Sequence, residues 1–362
     1  MVILRRHGLL FAPLVLAVAG CGGGGEHSGV PPANLQKVKV TQADKIKAIE
    51  QTKKAAAAAG PKNIVGRQTG CGQGSFPTWS PDGRQIAWAG RPAVCIADAD
   101  GSHVRPLPHT HGIVDSPFDL VWVKPRLLLY GDDYTISLLP IRGKPHLLRG
   151  VEAPNFAVSR DGSRFSTATQ SDCPGCTGQA HVWTLAGKPV GAIGNSKVYY
   201  DAPSLSQDGS EIAYAQNGGI WTASADGSHA RERVSSGTAP LWSPAGDTIA
   251  YATSAGLWTV GANGGMSRLV ARGVSDNGGW SPDGKLIASW GLGGLDVVDV
   301  ASGKVRKLPF VGYPNVYPPS GSQAWSPDSN ELLVTARLSG RCSALWREPV
   351  DGSKPRLLSS CY

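Results

Sequence analysis

The sequence predicts an all-β fold, a seven-bladed β-propeller of four-stranded antiparallel blades that occupies residues 62–362. One observation behind this prediction is composition, because 47 glycines and 27 prolines with only 17% charged residues are typical of a turn-rich β protein. The other is a turn motif that recurs seven times. Hydrophobic residues make up 41% of the 362-residue chain, enough to fill a core, which excludes a chain that is disordered throughout.

The recurring motif is Trp-Ser-Pro-Asp-Gly followed by a short apolar strand such as Ile-Ala-Tyr. Four copies are clear, two have lost the Trp, and one at residues 121–126 has lost the turn sequence. Successive copies are 36 to 47 residues apart, the length expected for a blade of four short strands. The Trp, or the residue in its place, is Trp79, Trp122, Val158, Leu205, Trp242, Trp280 or Trp325. Without the copy at 121–126, a gap of about two blades would remain.

Each part of the motif suits a propeller blade. Pro fixes φ at the first corner of a type I turn, and Gly permits the left-handed exit from it. Asp-Gly and Asn-Gly pairs later in each unit, such as residues 226–227 and 263–264, favour hairpin turns. One blade cannot bury both of its faces alone, so the units are expected to stack and close into a ring with few free edges.

The repeat of Trp-Ser-Pro-Asp-Gly and Ile-Ala-Tyr resembles that of TolB-type propellers, which also occurs in the propeller domains of prolyl oligopeptidase relatives. The resemblance covers about residues 62–362. It implies the fold and is nearly silent on function. TolB itself is similar in its propeller but has a separate N-terminal domain. Here only a short spacer is expected before the blades, so the Tol–Pal role is not carried over.

Residues 1–20 have the pattern of a lipoprotein signal peptide. Two arginines precede an apolar run over residues 8–19, which is too short for a permanent membrane span. The run ends in Val-Ala-Gly-Cys at residues 18–21, which resembles the lipobox of bacterial lipoproteins. We expect cleavage between Gly20 and Cys21 and a lipid on Cys21, which would anchor the chain to the outer face of a bacterial membrane. The alternative is an ordinary secretory signal with an incidental cysteine.

Residues 21–61 are predicted to form a flexible tether and a short helical spacer. Glycines fill positions 22–25, and residues 41–44 have the spacing of a capping box at a helix start. The predicted helix runs to Ala59, and Gly60 with Pro61 ends it.

Six cysteines remain when Cys21 is set aside, an even number that suits disulfide bonds in an exported protein. Cys173 and Cys176 are expected to pair locally at a loop tip. Neither a redox site nor a zinc site is expected there, because the strand-to-helix context and a second Cys pair are both missing. The six candidates are Cys71, Cys95, Cys173, Cys176, Cys342 and Cys361.

The remaining pairing has two alternatives. A two-residue turn at residues 351–352 would place Cys342 opposite Cys361 in the last blade, which leaves Cys71 to pair with Cys95. The other alternative pairs Cys71 with Cys361 and would join the first blade to the last. A shift of one residue in strand register would remove the case for Cys342 with Cys361.

The sequence has no recognisable catalytic signature, so no catalytic residue and no cofactor are predicted. A peptidase would need an α/β-hydrolase domain with a Gly-x-Ser-x-Gly elbow, and the sequence has neither. His109 and His111, with His103 and Asp115 nearby, are weak candidate metal ligands, although an exposed loop is the preferred interpretation. Residues 98–101 resemble half of a calcium loop but are interpreted as a hairpin turn.

Charge and composition narrow the function. The net charge of +8 falls to +6 once residues 1–20 are removed, and there is no block of Lys and Arg. Loose attraction to anionic surfaces is therefore expected, rather than nucleic-acid binding.

The leading hypothesis is a protein-binding or scaffolding lipoprotein whose partners are the bacterial membrane and another envelope protein. The alternative is a carbohydrate-active enzyme or small-molecule binder that uses the propeller channel. Four tyrosines in long connections between blades could present binding surface or pack on the rim: Tyr199, Tyr200, Tyr313 and Tyr317.

Overall fold

The computed structural model describes residues 71, 74–90, 93–111, 117–132, 135–151, 156–168, 179–194, 203–274, 278–291, 294–308, 323–339 and 342–359. The chain divides into two units, Met1–Val40 and Thr41–Tyr362, and every described residue belongs to the second. Over these residues, the regular structure is 28 β-strands in seven sheets, each built from four consecutive antiparallel strands. The predicted seven-bladed propeller is confirmed. The expected signal peptide, tether and helical spacer lie outside the described residues.

The first four blades each use strands in chain order. Blade 1 consists of β1 (Gly74–Trp79), β2 (Gln85–Gly90), β3 (Val94–Asp98) and β4 (Arg105–Pro106), and blade 2 of β5 (Pro117–Lys124), β6 (Leu127–Asp132), β7 (Ile136–Pro140) and β8 (His146–Leu147). Blade 3 consists of β9 (Phe156–Val158), β10 (Arg164–Ala168), β11 (Ala180–Thr184) and β12 (Pro189–Ile193). Blade 4 consists of β13 (Ser204–Leu205), β14 (Glu211–Gln216), β15 (Gly219–Ser224) and β16 (Arg231–Val234).

The last three blades follow the same plan. Their bounds are β17 (Thr238–Trp242), β18 (Thr248–Thr253), β19 (Gly256–Gly261) and β20 (Arg268–Arg272) in blade 5; β21 (Gly278–Trp280), β22 (Leu286–Gly291), β23 (Gly294–Asp299) and β24 (Val305–Lys307) in blade 6; and β25 (Gln323–Trp325), β26 (Glu331–Ser339), β27 (Cys342–Pro349) and β28 (Arg356–Ser359) in blade 7.

The first strand of each blade lies at the centre of the ring. First strands of neighbouring blades contact one another, for example β1 with β5 and β13 with β17. The contact between β1 and β25 closes the ring. Blade 1 and blade 7 share no strand, so side-chain packing closes the ring instead of backbone pairing. We call the seven first strands the inner strands and the seven last strands the outer strands.

The hydrophobic core lies in the seams between blades. Each of seven buried clusters draws its side chains from two adjacent blades. At the seam of blades 7 and 1, Ile86 and Trp88 pack with Leu333, Leu345 and Leu358. Because every cluster needs both neighbours, no blade buries its apolar surface alone, as the repeat predicts.

The Ser-Pro-Asp-Gly sequence forms a side-chain-braced turn between the first two strands of a blade. In blade 1, the Ser80 hydroxyl donates to the Asp82 carboxylate at 2.6 Å and accepts the Gln85 N–H at 2.9 Å. Gly83 has a φ of 70°, the left-handed exit that a side chain would disfavour. In blade 5, Ala245 replaces the aspartate, and the Ser243 hydroxyl lies 3.1 Å from Asp247 instead.

Two of the motif tryptophans also join neighbouring blades by hydrogen bonds. The indole N–H of Trp280 donates to the Leu241 carbonyl at 3.0 Å, and that of Trp325 donates to the Gly279 carbonyl at 2.9 Å. Both acceptors lie on the inner strand of the preceding blade. At these two positions the motif Trp therefore has a polar function as well as an apolar one.

Blade 2 has a shorter turn, which explains its degenerate repeat. Lys124 pairs directly with Leu127, so only Pro125 and Arg126 connect β5 to β6. A two-residue connection has no place for the Ser–Asp brace of the other blades. The blade keeps its apolar strands and its position in the ring.

One disulfide joins Cys71 to Cys95, with their Cα atoms 5.9 Å apart. This is the partner that the sequence favoured for Cys71 over Cys361. The register behind the expected Cys342–Cys361 pair holds only in part. Arg347 pairs with Arg356 as expected, but a β-bulge beside Trp346 shifts the register by one residue, so that Leu345 pairs with Ser359. Cys361, Cys173 and Cys176 lie outside the described residues, and both remaining pairs stay predictions.

Candidate functional site

The turns of each blade define one face of the ring. Connections in an antiparallel sheet alternate between its two ends, so the turn between strands one and two and the hairpin between strands three and four lie at the same end. Turns of adjacent blades touch: the Asp283 N–H donates to the Ser329 hydroxyl at 3.0 Å, and the Arg164 guanidinium donates to the Gly209 carbonyl at 2.8 Å. We call this the turn face.

A groove of about 500 Å³ opens on the turn face between blades 5 and 6. Its apolar part combines residues of both blades, and its polar part comes mainly from blade 5. The apolar residues are Ala245, Val260, Met266, Trp280 and Val300, and the polar ones include Ser243, Asp247, Thr248, Thr259 and Arg268.

The walls of this groove are held in place while its rim is exposed. The Arg268 guanidinium of blade 5 donates to the Val300 carbonyl of blade 6 at 2.6 Å, which joins the two walls. The Trp280 indole is fixed by the Leu241 carbonyl below it. Met266, at the rim, is 97% exposed. A preformed groove with both polar and apolar walls, beside an exposed Met, is suited to receiving a side chain of another molecule.

Where they are described, the inner strands contain few side chains that could act as an acid, a base or a metal ligand. They hold no histidine or arginine, and their charged residues are Asp119 and, at the end of β5, Lys124. Burial raises the pKa of Asp119 to about 7, against the opposing effect of the Leu120 N–H, which donates to its carboxylate at 2.8 Å. Asp119 could hold a proton near neutral pH. No second acid or base of the described inner strands accompanies it.

The weak metal candidates are not brought together. His109 and His111 are both exposed in the connection after β4. Among the described residues, no group of three or more His, Cys, Asp or Glu side chains could hold a metal ion. The His103 Nδ1 lies 2.6 Å from an Asp98 carboxylate oxygen, within hydrogen-bond distance on the surface, and Asp115 lies outside the described residues.

Residues 98–101 form the hairpin turn that the sequence predicted. The Asp100 carboxylate accepts the Ser102 N–H at 2.9 Å and the Ser102 hydroxyl at 2.6 Å, which lowers its pKa. The other candidates lie outside the described residues: Gly20, Cys21, Tyr199, Tyr200, Tyr313 and Tyr317.

Two buried acids were missed by the sequence reasoning. Glu348 is 1% exposed, and burial raises its pKa to about 7. It pairs with Leu332 across β26 and β27. The residues at the equivalent position in blades 5 and 6 are the apolar Val260 and Val298. The second acid is the buried Asp296, whose position in blade 6 is equivalent to that of Trp258 in blade 5. The Asp296 carboxylate lies 3.5 Å from the Lys307 ammonium, and burial raises the pKa of Asp296. Aligning the third strands of all repeats would have revealed both acids.

The described residues contain no helix long and apolar enough to cross a membrane.

No protein-family model and no curated protein matches the chain. Solved structures do match it. An oligogalacturonate lyase from Vibrio parahaemolyticus aligns with a TM-score of 0.58 at 12% identity, over 81% of this chain and 92% of that chain. TolB from Acinetobacter baumannii aligns with a TM-score of 0.48 at 16% identity, over 75% of each chain. A putative TolB from Agrobacterium tumefaciens aligns with a TM-score of 0.43 at 16% identity, over 71% of this chain and 87% of that chain. Likeness at these identities concerns the fold and no activity. The repeat and the seven-bladed ring are together consistent with a TolB-like β-propeller.

Proposed function

We propose that this chain is an exported, lipid-anchored propeller that binds another protein of the bacterial envelope and acts as a scaffold. The observation that carries the proposal is the groove between blades 5 and 6. It combines Trp280, Arg268 and the exposed Met266, and Trp, Arg and Met are residue types enriched at protein interfaces. A partner side chain that filled the groove would bury apolar surface without first opening the ring.

The proposed anchor is the lipid on Cys21. It is supported by the lipobox-like sequence at residues 18–21 and the glycines that follow it. An anchored scaffold gains effective concentration for partners in the same membrane, so modest affinity at the groove would suffice.

A photo-crosslinking amino acid at position 266 tests the groove in living cells. We expect it to trap one discrete envelope protein. The matched control is the same amino acid at position 147, because Leu147 is 47% exposed on the outer strand of blade 2. The proposal is contradicted if position 266 yields no adduct, or the same adducts as position 147.

A second candidate function is a carbohydrate-active enzyme or small-molecule binder that works at the centre of the ring. Asp119 favours it, because an inner-strand carboxyl with a pKa of about 7 can donate or accept a proton. The structural likeness to an oligogalacturonate lyase supports only the shared fold. Turnover of an acidic glycan by the purified chain, abolished by Asp119→Asn and unaffected by Asp132→Asn, would establish this alternative.

A further inference from the structure

Blade 2 departs from the repeat in the sign of its charge. Every other blade carries an aspartate in its first turn, namely Asp82, Asp161, Asp208, Asp247, Asp283 and Asp328. In blade 2 the corresponding turn is Lys124-Pro125-Arg126, and the hairpin after β7 contains Arg142 and Lys144. All four cations are exposed. Blade 2 therefore presents only positive charge in its two turns on the turn face.

Blade 3 extends the same positive area. Its first turn adds Arg160 and its hairpin adds Lys188, both exposed. The turns of the two blades are in contact, since a Cβ on Gly162 would lie 2.3 Å from the Val123 carbonyl oxygen. The acid in these turns is Asp161, whose carboxylate accepts hydrogen bonds from the Ser159 and Ser163 hydroxyls at 2.7 and 2.8 Å. We call the six cations of blades 2 and 3 the basic patch.

The cations of the basic patch are free of ion pairs to described residues. Two cations elsewhere on the turn face are engaged: Lys285 lies 3.4 Å from Asp283, and Arg268 is bonded to the Val300 carbonyl. None of the six has such a contact within the described part of the chain. Six cations on two adjacent blades, without ion pairs to the described residues, attract a surface that is itself densely anionic.

We propose that the basic patch rests on an anionic phospholipid surface and so sets how the ring lies on the membrane. This proposal rests on the proposed lipid anchor. The patch favours a membrane over a protein partner, because its long side chains extend from four turns instead of lining a groove.

The anchor alone would leave the orientation of the ring open. About 50 residues separate Cys21 from Cys71, and with the predicted helix to Ala59 such a segment would reach at most about 130 Å. Many orientations of the ring are compatible with such a reach. Binding through blades 2 and 3 selects one, in which the groove of blades 5 and 6, on the far side of the ring, tilts away from the lipid.

Vesicle flotation of the mature chain, residues 21–362, with Cys21→Ser to prevent lipidation tests the proposal. The probes are vesicles of phosphatidylcholine with 30% phosphatidylglycerol and vesicles of phosphatidylcholine alone. We expect binding to the anionic vesicles only, weakened as salt screens the charges. Lys124→Gln, Arg142→Gln and Lys144→Gln together should weaken it on the order of 100-fold. The matched control is Arg231→Gln, Arg272→Gln and Lys354→Gln, which removes the same charge from other exposed positions and should have little effect.

Equal loss in both triple variants would overturn the proposal, because net charge and not the patch would then control binding. Absence of wild-type binding to anionic vesicles would also overturn it. If the patch variant instead lost an acidic envelope protein from crosslinking adducts while vesicles never bound, the patch would be a protein site. The vesicles contain no protein, so these outcomes are independent of whether the groove has a partner.

Discussion

The guanidinium of Arg347, in the last blade, lies 5.3 Å from the ring centroid of Trp79, in the first blade. The same guanidinium donates to the Ala99 carbonyl of blade 1 at 3.0 Å and to Glu331 of its own blade at 2.5 Å. Since blades 1 and 7 share no strand, this residue joins the two ends of the repeat. Ring closure thus depends on side chains that can be replaced one at a time.

Arg347→Ala should weaken ring closure. It removes the cation–π contact and the bond to Ala99, and leaves Glu331 without its partner, so we expect a loss of about 2 to 4 kcal/mol in the free energy of unfolding. Urea unfolding followed by tryptophan fluorescence measures it. Arg356→Ala is the matched control, because that exposed arginine makes one bond to blade 1, at the Asp100 carbonyl, and should cost less than half as much. Equal losses of stability in Arg347→Ala and Arg356→Ala would contradict the role of Arg347 in ring closure.

Breaking the Cys71–Cys95 bond should also destabilise the ring. The bond closes a segment of 24 residues, for which loop-closure entropy gives roughly 3 kcal/mol. The double variant Cys71→Ser with Cys95→Ser is therefore expected to melt several degrees below wild type. Peptide mapping without reduction checks the connectivity directly. A peptide that links Cys71 to Cys361 would show that the alternative pairing is the real one.

Asp208→Ala tests the brace in the Ser-Pro-Asp-Gly type of turn. The Ser210 N–H and hydroxyl and the Ser206 hydroxyl lower the pKa of Asp208 to about 2. Its ionised form therefore contributes stability above about pH 4, and this is lost as pH falls through about 2. Because the carboxylate is exposed, we expect a loss of only about 1 kcal/mol at pH 7.

Thermal melts of Asp208→Ala at pH 7 and near pH 2 measure this difference. The two proteins should differ at pH 7 and converge at the acid end. Gln207→Ala, an exposed substitution in the same turn, should match wild type at both values. A constant difference between wild type and Asp208→Ala across pH would rule out the ionised brace as its cause.

Glu348→Gln should have the opposite pH dependence. Burial favours the protonated form of Glu348 in the folded chain, with a pKa near 7 against an ordinary value of 4.5. Wild type therefore loses stability as pH rises from about 4.5 through 7, and the Gln variant does not. At pH 8 we expect the variant to be more stable by about 1 to 3 kcal/mol, with little difference at pH 4. The exposed Glu211→Gln serves as control, and an unchanged melt of Glu348→Gln at pH 8 would refute the prediction.

The fold could be predicted from sequence because each blade begins with a turn whose residues form a recognisable motif. Ser80, Asp82 and Gly83 act within one turn, so their pattern survives complete in four of the seven copies and with one change in two more. The seventh was found from spacing, since blade length is fixed by the ring even where Pro125 and Arg126 replaced the brace.

The site could not be predicted in the same way. The groove beside Met266 exists because residues of blades 5 and 6 meet there, and the unusual pKa values of Asp119 and Glu348 arise from burial. A β-bulge beside Trp346 shifted the strand register that turn length alone had predicted for β27 and β28. Such properties depend on contacts between units, which a repeat pattern does not encode.

Both proposals depend on a lipid at Cys21, so the most direct measurement is the distribution of the chain between membrane and soluble fractions of cells. Wild type should be recovered with membranes and remain there in high salt. Cys21→Ala should move to the soluble fraction in high salt, because the basic patch alone binds weakly and is screened. If Cys21→Ala stayed with the membranes in high salt as wild type does, the anchor, and the orientation argued from it, would be wrong.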